Sequence, residues 1–356
     1  MERILQEYPL ELEWGDGKGD GKGDGKKVQD HWCLKGAQQS YGLWEYQGEP
    51  ERLEQALEWQ EYLKEKGCQG VLGLIKTKGG RKYLQREKGY YYLTDWVEGV
   101  PVVIKKEGIF PAMAEVLAAI HYYSRGFKSR LDDKHVDGEA VRREADSQKY
   151  GFPWLRAKQE RLTELLTAFQ YLKDKRPGND YERLYIENFS NVYQRGQEAI
   201  QKMVLAGANT PNDLSHVYLV GNLRAENFGG TEQRIVLLRT TDWQRGPAVL
   251  DLSLLLKMYL PLKEWNWEEA KEVIGRYQKK SPLSFSEKYL LLALLSFPGR
   301  FWVYAQQYFS EQDNSTMLAE KLKNYLYEFS WQERCLAKLE GWLWEEKEIK
   351  GEVKEK

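Results

Sequence analysis

Cysteine is scarce in this sequence, and no Cys-x-x-Cys pair occurs. Three cysteines, Cys33, Cys68 and Cys335, are scattered along 356 residues, and no histidine stands at a metal-ligand spacing from them. The pattern therefore indicates neither a disulfide framework nor a zinc site, and it favours a reducing compartment.

An excess of charge of one sign is also missing. The chain has 53 Lys and Arg against 54 Asp and Glu, which leaves a net charge of −1. Such a balance provides no overall attraction for nucleic acid or an anionic membrane. We therefore expect neither nucleic acid nor another polyanion to be the main partner.

Long hydrophobic runs are absent as well. The most apolar stretch, residues 289–297, is too short to cross about 30 Å of hydrocarbon, so we interpret it as a buried helix. Met1 is not followed by the basic, apolar and small-residue regions of a secretory signal. No membrane span is expected.

The size and composition favour a folded protein of two lobes. A chain of 356 residues exceeds the usual size of one hydrophobic core, and 42% of its residues are hydrophobic. Residues 15–26 repeat Gly-Asp-Gly-Lys and predict a flexible loop. A calcium loop is disfavoured there, because the aspartates are spaced too widely for EF-hand ligands.

The pattern predicts a β-rich lobe over residues 1–98, a helical lobe over 99–344 and a charged tail over 345–356. Short β-rich runs surround one amphipathic helix that starts at Pro50 and stops at Gly67. Helical periodicity dominates from Pro111 onward. It is interrupted by two apolar runs, residues 216–220 and 235–238, which we interpret as one β-hairpin with Gly229-Gly230 between them.

The segment around that hairpin, residues 220–228, reads Val-Gly-Asn-Leu-Arg-Ala-Glu-Asn-Phe. It resembles the His-Gly-Asp-Leu-His-x-x-Asn signature of aminoglycoside and choline kinases. Gly221, Leu223 and Asn227 agree with the signature, whereas both of its histidines are replaced. Asn222 stands where the family has its catalytic Asp. The resemblance implies an α+β, protein-kinase-like two-lobed fold with a small β-rich and a large helical lobe.

The resemblance also gives these positions roles. The family's Asp accepts or orients the proton of the attacking hydroxyl, and the amide of Asn222 has no ionisable oxygen for that task. Asn227 keeps a carbonyl oxygen to offer to magnesium. Asp242, in Thr-Asp-Trp after a β-run, resembles the family's metal-binding Asp. Asp251 resembles the Asp that buttresses the catalytic loop.

A lysine is expected on the strand before the first helix, where it pairs the nucleotide phosphates with a helix carboxylate. Trp44 occupies that place. Lys35 on the preceding strand is a substitute candidate, with Glu54 or Glu58 as its partner, although the spacing does not compel this pairing. If both the lysine and the base are lost, residual catalysis is expected to be very small.

Three further stretches make the resemblance to a family more specific. Residues 92–99 read Tyr-Leu-Thr-Asp-Trp-Val-Glu-Gly, residues 117–124 read Leu-Ala-Ala-Ile-His-Tyr-Tyr-Ser, and residues 281–284 read Ser-Pro-Leu-Ser. Together they resemble the CotS-family spore coat proteins, in particular the YutH-like branch. Within the second stretch, His121 shares a helix face with apolar residues, so we expect a packed and hydrogen-bonded histidine rather than a catalytic one.

The resemblance implies a non-catalytic, kinase-like coat protein with a structural or assembly role. It would be made in the mother-cell cytoplasm and then placed on the spore coat, with other coat proteins as partners and no cofactor. Two alternatives stay open. One is a small-molecule phosphotransferase with an altered site, which would use ATP and Mg. The other is a peptide- or saccharide-binding coat module, suggested by the 13 tryptophans.

Overall fold

The computed structural model describes residues 2–14, 31–86, 89–97, 108–131, 153–209, 216–221, 223–231, 234–310 and 315–351. The predicted loop at residues 15–26 and the predicted catalytic position Asn222 lie outside the described residues.

The first part of the chain forms a sheet with one long helix inserted. Its elements are α1 (Glu2–Leu5), β1 (Leu12–Trp14), β2 (His31–Gly36), β3 (Ser40–Tyr46), α2 (Pro50–Glu65), β4 (Leu74–Ile75), β5 (Leu84–Arg86) and β6 (Gly89–Asp95). The six strands form one antiparallel sheet of order β1-β2-β3-β6-β4, and β5 also pairs with β6. β3 and β6 are neighbours in the sheet, although α2, β4 and β5 lie between them in sequence.

Helix α2 follows from local signals. Pro50 lies at its first turn, where the missing N–H costs nothing, and Leu53, Leu57 and Leu63 form its buried stripe. Gly67 has a positive φ of 84°, and the N–H of Cys68 donates to the Leu63 carbonyl at 2.9 Å. This is the left-handed ending that glycine permits, and it confirms the predicted start and stop.

The predicted hairpin is wrong in its pairing. β7 (His216–Leu219) pairs with β10 (Gln244–Pro247), and β8 (Phe228–Thr231) pairs with β9 (Arg234–Leu237), so two small sheets replace one hairpin. The two glycines lie within β8 instead of forming the turn. Gly230 has φ of 117°, and a Cβ there would lie 2.0 Å from the Arg234 carbonyl oxygen. This close approach of two backbones, and not a turn, requires the glycine.

Helices make up most of the rest. They are α3 (Ile109–Ser124), α4 (Pro153–Lys175), α5 (Asp180–Asn209), α6 (Val249–Tyr259), α7 (Trp267–Gln278), α8 (Phe285–Ser296), α9 (Gly299–Ser310) and α10 (Ser315–Gly351). Residues 289–297 lie in and directly after α8, whose side chains from Leu290 to Leu295 are buried, as predicted. Helix α10 continues into the predicted tail. No helix in the described part of the chain is both long and apolar enough to cross a bilayer.

The chain divides into two compact units. The first comprises Met1–Val136, His216–Asp251 and Arg276–Ser281, and the second Asp137–Ser215, Leu252–Gly275 and Pro282–Lys356. The first unit contains α3 and both small sheets as well as the N-terminal sheet. The lobes 1–98 and 99–344 stay a prediction. In the second unit, α4, α5, α9 and α10 enclose an aromatic-rich core that includes Tyr185, Phe189 and Phe301.

Candidate functional site

Asp251 supports the loop in which the kinase signature lies. The carboxylate is buried at the start of α6. Its Oδ2 accepts the N–H of Val220 at 2.7 Å, and its Oδ1 accepts the N–H of Gly221 at 3.4 Å. Hydrogen bonds from two successive N–H groups to a carboxylate are of the stronger, charge-assisted kind. Asp251 therefore fixes the backbone that directly precedes Asn222.

His121 completes this support. Its Nε2 lies 3.1 Å from Asp251 Oδ2, its Nδ1 lies 2.7 Å from the Tyr277 hydroxyl, and the histidine is fully buried. The ring links α3, α6 and α7. The prediction of a packed, hydrogen-bonded histidine is confirmed, and its partner is the buttressing aspartate.

Gly221 brings the signature loop against the loop of Asp242. It has φ of 79°, and a Cβ at this position would lie 2.2 Å from the Asp242 carbonyl oxygen. Only glycine tolerates both the left-handed backbone and this contact. Gly221 directly precedes the position predicted for the base, and Asp242 is a predicted metal ligand. The backbones of these two residues therefore adjoin.

The two metal candidates lie in partly exposed surroundings. Asp242 Oδ1 lies 3.9 Å from Arg239 Nη2. Asn227 ends a short 3-10 turn, and its backbone carbonyl accepts the N–H of Leu238 at 2.8 Å. Within the described residues, no group of three or more His, Cys, Asp and Glu side chains could hold a metal ion. A metal role for Asn227 and Asp242 stays a prediction.

Trp44 lies on β3 with its indole in the core. It is 2% exposed, and its Nε1 donates to Thr94 Oγ1 on β6 at 2.9 Å. The same cluster contains Leu53 and Leu57 of α2 and Val236 of β9. The indole thus lies between the sheet, the first long helix and the second small sheet. A neutral aromatic fills the region in which the fold's lysine is expected to carry its charge.

Other aromatic rings surround Trp44. The His31 ring lies 4.6 Å from the Trp44 ring and 4.9 Å from that of Trp96, and Tyr92 stacks on Trp44 at 6.2 Å. A Cβ at Gly42 would lie 2.8 Å from the Trp96 ring. Packing of this density is specific to these side chains.

Lys35 and Glu54 lie on β2 and α2. Lys35 is exposed on β2, where it lies opposite Ser40. Glu54 Oε1 lies 2.8 Å from Nζ of Lys82, a residue that precedes β5. Lys82 also lies 3.7 Å from Glu58 Oε1 and 3.5 Å from Glu61 Oε2. A nucleotide role for Lys35 and Glu54 stays a prediction. Lys82 contacts three glutamates of α2, and Lys76 Nζ also lies 2.8 Å from Glu61 Oε1.

Helix α2 is also bound to the Asp242 loop. Arg52 Nη2 donates to the Trp243 carbonyl at 2.5 Å, and Trp243 Nε1 donates to the Arg52 carbonyl at 3.2 Å. Thr240 Oγ1 donates to the buried Gln60 Oε1 at 2.9 Å. Burial raises the pKa of Tyr46 at the end of β3; the charge of Arg52 lowers this pKa, and that of Asp242 raises it. Helix and loop are held together without a lysine on β3.

Sequence reasoning missed Lys82 and Arg52. Both act over long distances in sequence, and neither lies in a motif. The one signal available for Lys82 was the row of glutamates on α2 at positions 54, 58 and 61. Their helical spacing places three like charges side by side, which a shared cation stabilises.

The architecture is that of the kinase-like phosphotransferases. The chain is similar to an aminoglycoside phosphotransferase from Alicyclobacillus acidocaldarius, with 17% identity, a TM-score of 0.78, and coverage of 96% of this chain and 95% of that one. It is similar to the spectinomycin phosphotransferase APH(9)-Ia, at 14% identity and a TM-score of 0.51 over 92% and 93% of the two chains. It is also similar to the amicoumacin kinase hAmiN, with 14% identity, a TM-score of 0.51, and coverage of 86% of this chain and 88% of that one. At these identities the likeness shows the fold, which confirms the predicted class.

Residues 24–339 match the model of a family described as "Spore coat putative kinase YutH". The chain belongs to this family, and the predicted resemblance is confirmed. No curated protein sequence matches the chain.

Proposed function

We propose that this protein is a kinase-fold component of the spore coat that does not transfer phosphate and has a structural or assembly role. Its partners are other coat proteins, and no cofactor is needed. It is made in the mother-cell cytoplasm and then placed on the spore coat. The family to which the chain belongs supports the coat association.

The observation that carries the proposal is the burial of Trp44. Phosphoryl transfer depends on positive charge that positions and stabilises the phosphates, and in kinases a strand lysine supplies part of it. Trp44 instead places an indole there, 2% exposed and hydrogen-bonded to Thr94. Both glutamates expected as partners of such a lysine lie near Lys82 instead, with Glu54 Oε1 2.8 Å and Glu58 Oε1 3.7 Å from its Nζ.

Asn222 supports the same conclusion from the sequence. Loss of a general base alone lowers rates by roughly 10²–10⁴-fold. The supports of this loop are kept, since Asp251, His121 and Gly221 hold its backbone. A scaffold that is preserved while the strand lysine and the general base are replaced is consistent with a function that uses the fold without the chemistry.

Magnesium-dependent nucleotide turnover by the purified chain tests the proposal. We expect the wild type to show no turnover above that of the Asn222→Ala and Asp242→Ala variants. Measurable turnover that either substitution abolishes would overturn it. A fluorescent fusion followed through sporulation tests the location, with accumulation on the forespore expected and a vegetative-only distribution against it.

A second candidate is a small-molecule phosphotransferase with an altered site. It is favoured by the adjoining backbones of Gly221 and Asp242 and by the retained Asn227. Under this alternative, ATP with Mg raises the melting temperature of the wild type and not that of Asp242→Ala. If neither changes, a pull-down without nucleotide distinguishes the third possibility, a peptide- or saccharide-binding module, by recovery of one defined partner.

A further inference from the structure

One face of the N-terminal sheet carries a row of aromatic rings. Trp44 on β3 has His31 on β2 and Tyr92 on β6 directly opposite it. Directly opposite residues of antiparallel strands point to the same face of a sheet. The His31 ring lies 4.6 Å from that of Trp44, and the Tyr92 ring lies 6.2 Å from it. We call these three residues the aromatic row. Trp44 and Tyr92 pack on this face against residues of α2 and β9.

A row of small residues lies beside the aromatic row. Gly42 is two residues from Trp44 along β3 and shares its face. The residues opposite Gly42 are Cys33 on β2 and Thr94 on β6. We call Cys33, Gly42 and Thr94 the small row. Gly42 is the one glycine of β3, and a glycine inside a strand often marks a place where another group approaches the backbone closely.

The group that lies on the small row is the indole of Trp96. A Cβ at Gly42 would lie 2.8 Å from Cε3 and 3.1 Å from Cζ3 of this indole. The centre of the Trp96 ring lies 4.9 Å from that of His31 and 6.0 Å from that of Trp44. Aromatic rings at such separations are in direct contact. The indole therefore covers the bare backbone of Gly42 and fills the space beside the aromatic row.

The same face is where this fold is expected to hold a nucleotide. In kinases the strand lysine contacts the phosphates, and Trp44 occupies the place predicted for that lysine. A nucleotide whose phosphates lie at position 44 extends its ribose and base over the same face of the sheet. Gly42 lies about 7 Å farther along β3, and it leaves room for a flat ring. Indole and purine are both flat, fused two-ring systems of similar size, so the indole takes the space that a purine needs.

We propose that Trp96 closes the nucleobase slot of this protein, with its indole on Gly42 where the purine of a nucleotide would lie. The inference rests on the proposed function, because it concerns the same site, and it adds a second reason for the expected absence of turnover. A purine binds only to the fraction of molecules in which the indole has left the slot, so its apparent affinity falls by that fraction. The indole is attached directly after β6 and competes at a high effective concentration.

Adenosine tests the slot, because it has no phosphates and does not depend on the strand lysine. Isothermal titration compares the wild type with Trp96→Ala, which uncovers Gly42. With the slot open in about 10% of wild-type molecules or fewer, Trp96→Ala should bind adenosine at least about 10-fold more tightly. Apolar cavities opened by substitution do bind flat aromatic molecules. Trp96→Leu, which also removes the indole, is the second variant if Trp96→Ala does not fold.

Two further variants control the experiment. Trp32→Ala removes a tryptophan from the other face of the same sheet, where its ring lies 6.3 Å from that of Tyr91. It should bind adenosine no better than the wild type does. The double variant Trp96→Ala with Gly42→Val puts a side chain back into the slot, and it should lose the gained affinity.

Equal adenosine affinity in the wild type and in Trp96→Ala, or no binding to either, would overturn the proposal. So would a gain that persists with Gly42→Val, or an equal gain in Trp32→Ala. Failure of this inference is distinguishable from failure of the proposed function. A wild type that binds adenosine as Trp96→Ala does, yet releases no phosphate from ATP, refutes the closed slot and leaves the proposed function intact. Turnover of ATP by the wild type refutes the proposed function, whatever the affinity for adenosine.

Discussion

Substituting alanine for Trp44 removes the side chain on which the account of the site depends. The indole is 2% exposed and Thr94 is fully buried, so alanine leaves a cavity and an unpaired hydroxyl. Removal of a buried Trp or Phe side chain costs about 3–5 kcal/mol, and an unpaired buried hydroxyl adds roughly 1–3 kcal/mol when it finds no water. We therefore expect Trp44→Ala to lower the free energy of unfolding of the first unit by about 4 kcal/mol or more.

A double-mutant cycle isolates the hydrogen bond. Trp44→Phe keeps an aromatic ring but loses the donor, and Thr94→Val loses the acceptor and keeps the shape. Each single substitution should cost roughly 1–3 kcal/mol. The double variant should cost less than their sum, with a coupling of about 1 kcal/mol.

Urea unfolding followed by far-ultraviolet circular dichroism measures these differences. Tyr327→Ala is the control, since this aromatic residue is 68% exposed and its loss should change stability by no more than about 0.5 kcal/mol. A loss below about 1 kcal/mol for Trp44→Ala, or additive effects of Trp44→Phe and Thr94→Val, would refute the placement of the indole in the core.

Three further predictions concern the loop supports and Lys158. Gly221→Ala should destabilise the chain by at least about 1–3 kcal/mol, because alanine is strained at positive φ and meets the Asp242 carbonyl. The control is Gly275→Ala, at a position in α7 with open space around it, and it should be neutral or stabilising by up to about 1 kcal/mol. Equal effects of the two substitutions in urea unfolding would contradict this. Asp251→Asn should cost about 2–3 kcal/mol through weaker acceptance of the Val220 N–H and the loss of charge beside His121, and unchanged stability would argue against the buttress. For Lys158, burial lowers the folded pKa to about 8, below its ordinary 10.5, so the unfolded chain binds more protons between these pH values and stability rises with pH there. The rise, measured as the urea midpoint against pH, should be smaller in Lys158→Met than in the wild type. An equal rise in both proteins would contradict this prediction.

Local signals predicted the elements of the fold well. Pro50 and the apolar stripe of α2 specify one helix within a stretch of short strands, and periodicity predicted the helices that dominate from Pro111 onward. The motif around Gly221 indicated the fold class, and the stretches at residues 92–99, 117–124 and 281–284 indicated the family. Such signals are contained in a few consecutive residues, so they can be read without knowledge of the partners.

Pairing over long distances was not accessible in this way. The glycines at 229 and 230 were interpreted as a turn, but they lie in β8, and the partner of β7 is β10, whose Gly246 lies opposite Val217. Lys82 has no periodic pattern around it, and only the packed structure shows that it contacts Glu54. The position of Trp44 on β3 was predicted, whereas its bond to Thr94 was not, because that bond joins strands separated by α2.

The most direct test of the central claim is a single-turnover assay of phosphate release from ATP with Mg, with the wild-type chain in excess over nucleotide. We expect the same release rate in the wild type, in Asp242→Ala and in buffer alone, because the indole at position 44 leaves the phosphates without their strand cation. A wild-type rate clearly above that of Asp242→Ala would contradict it.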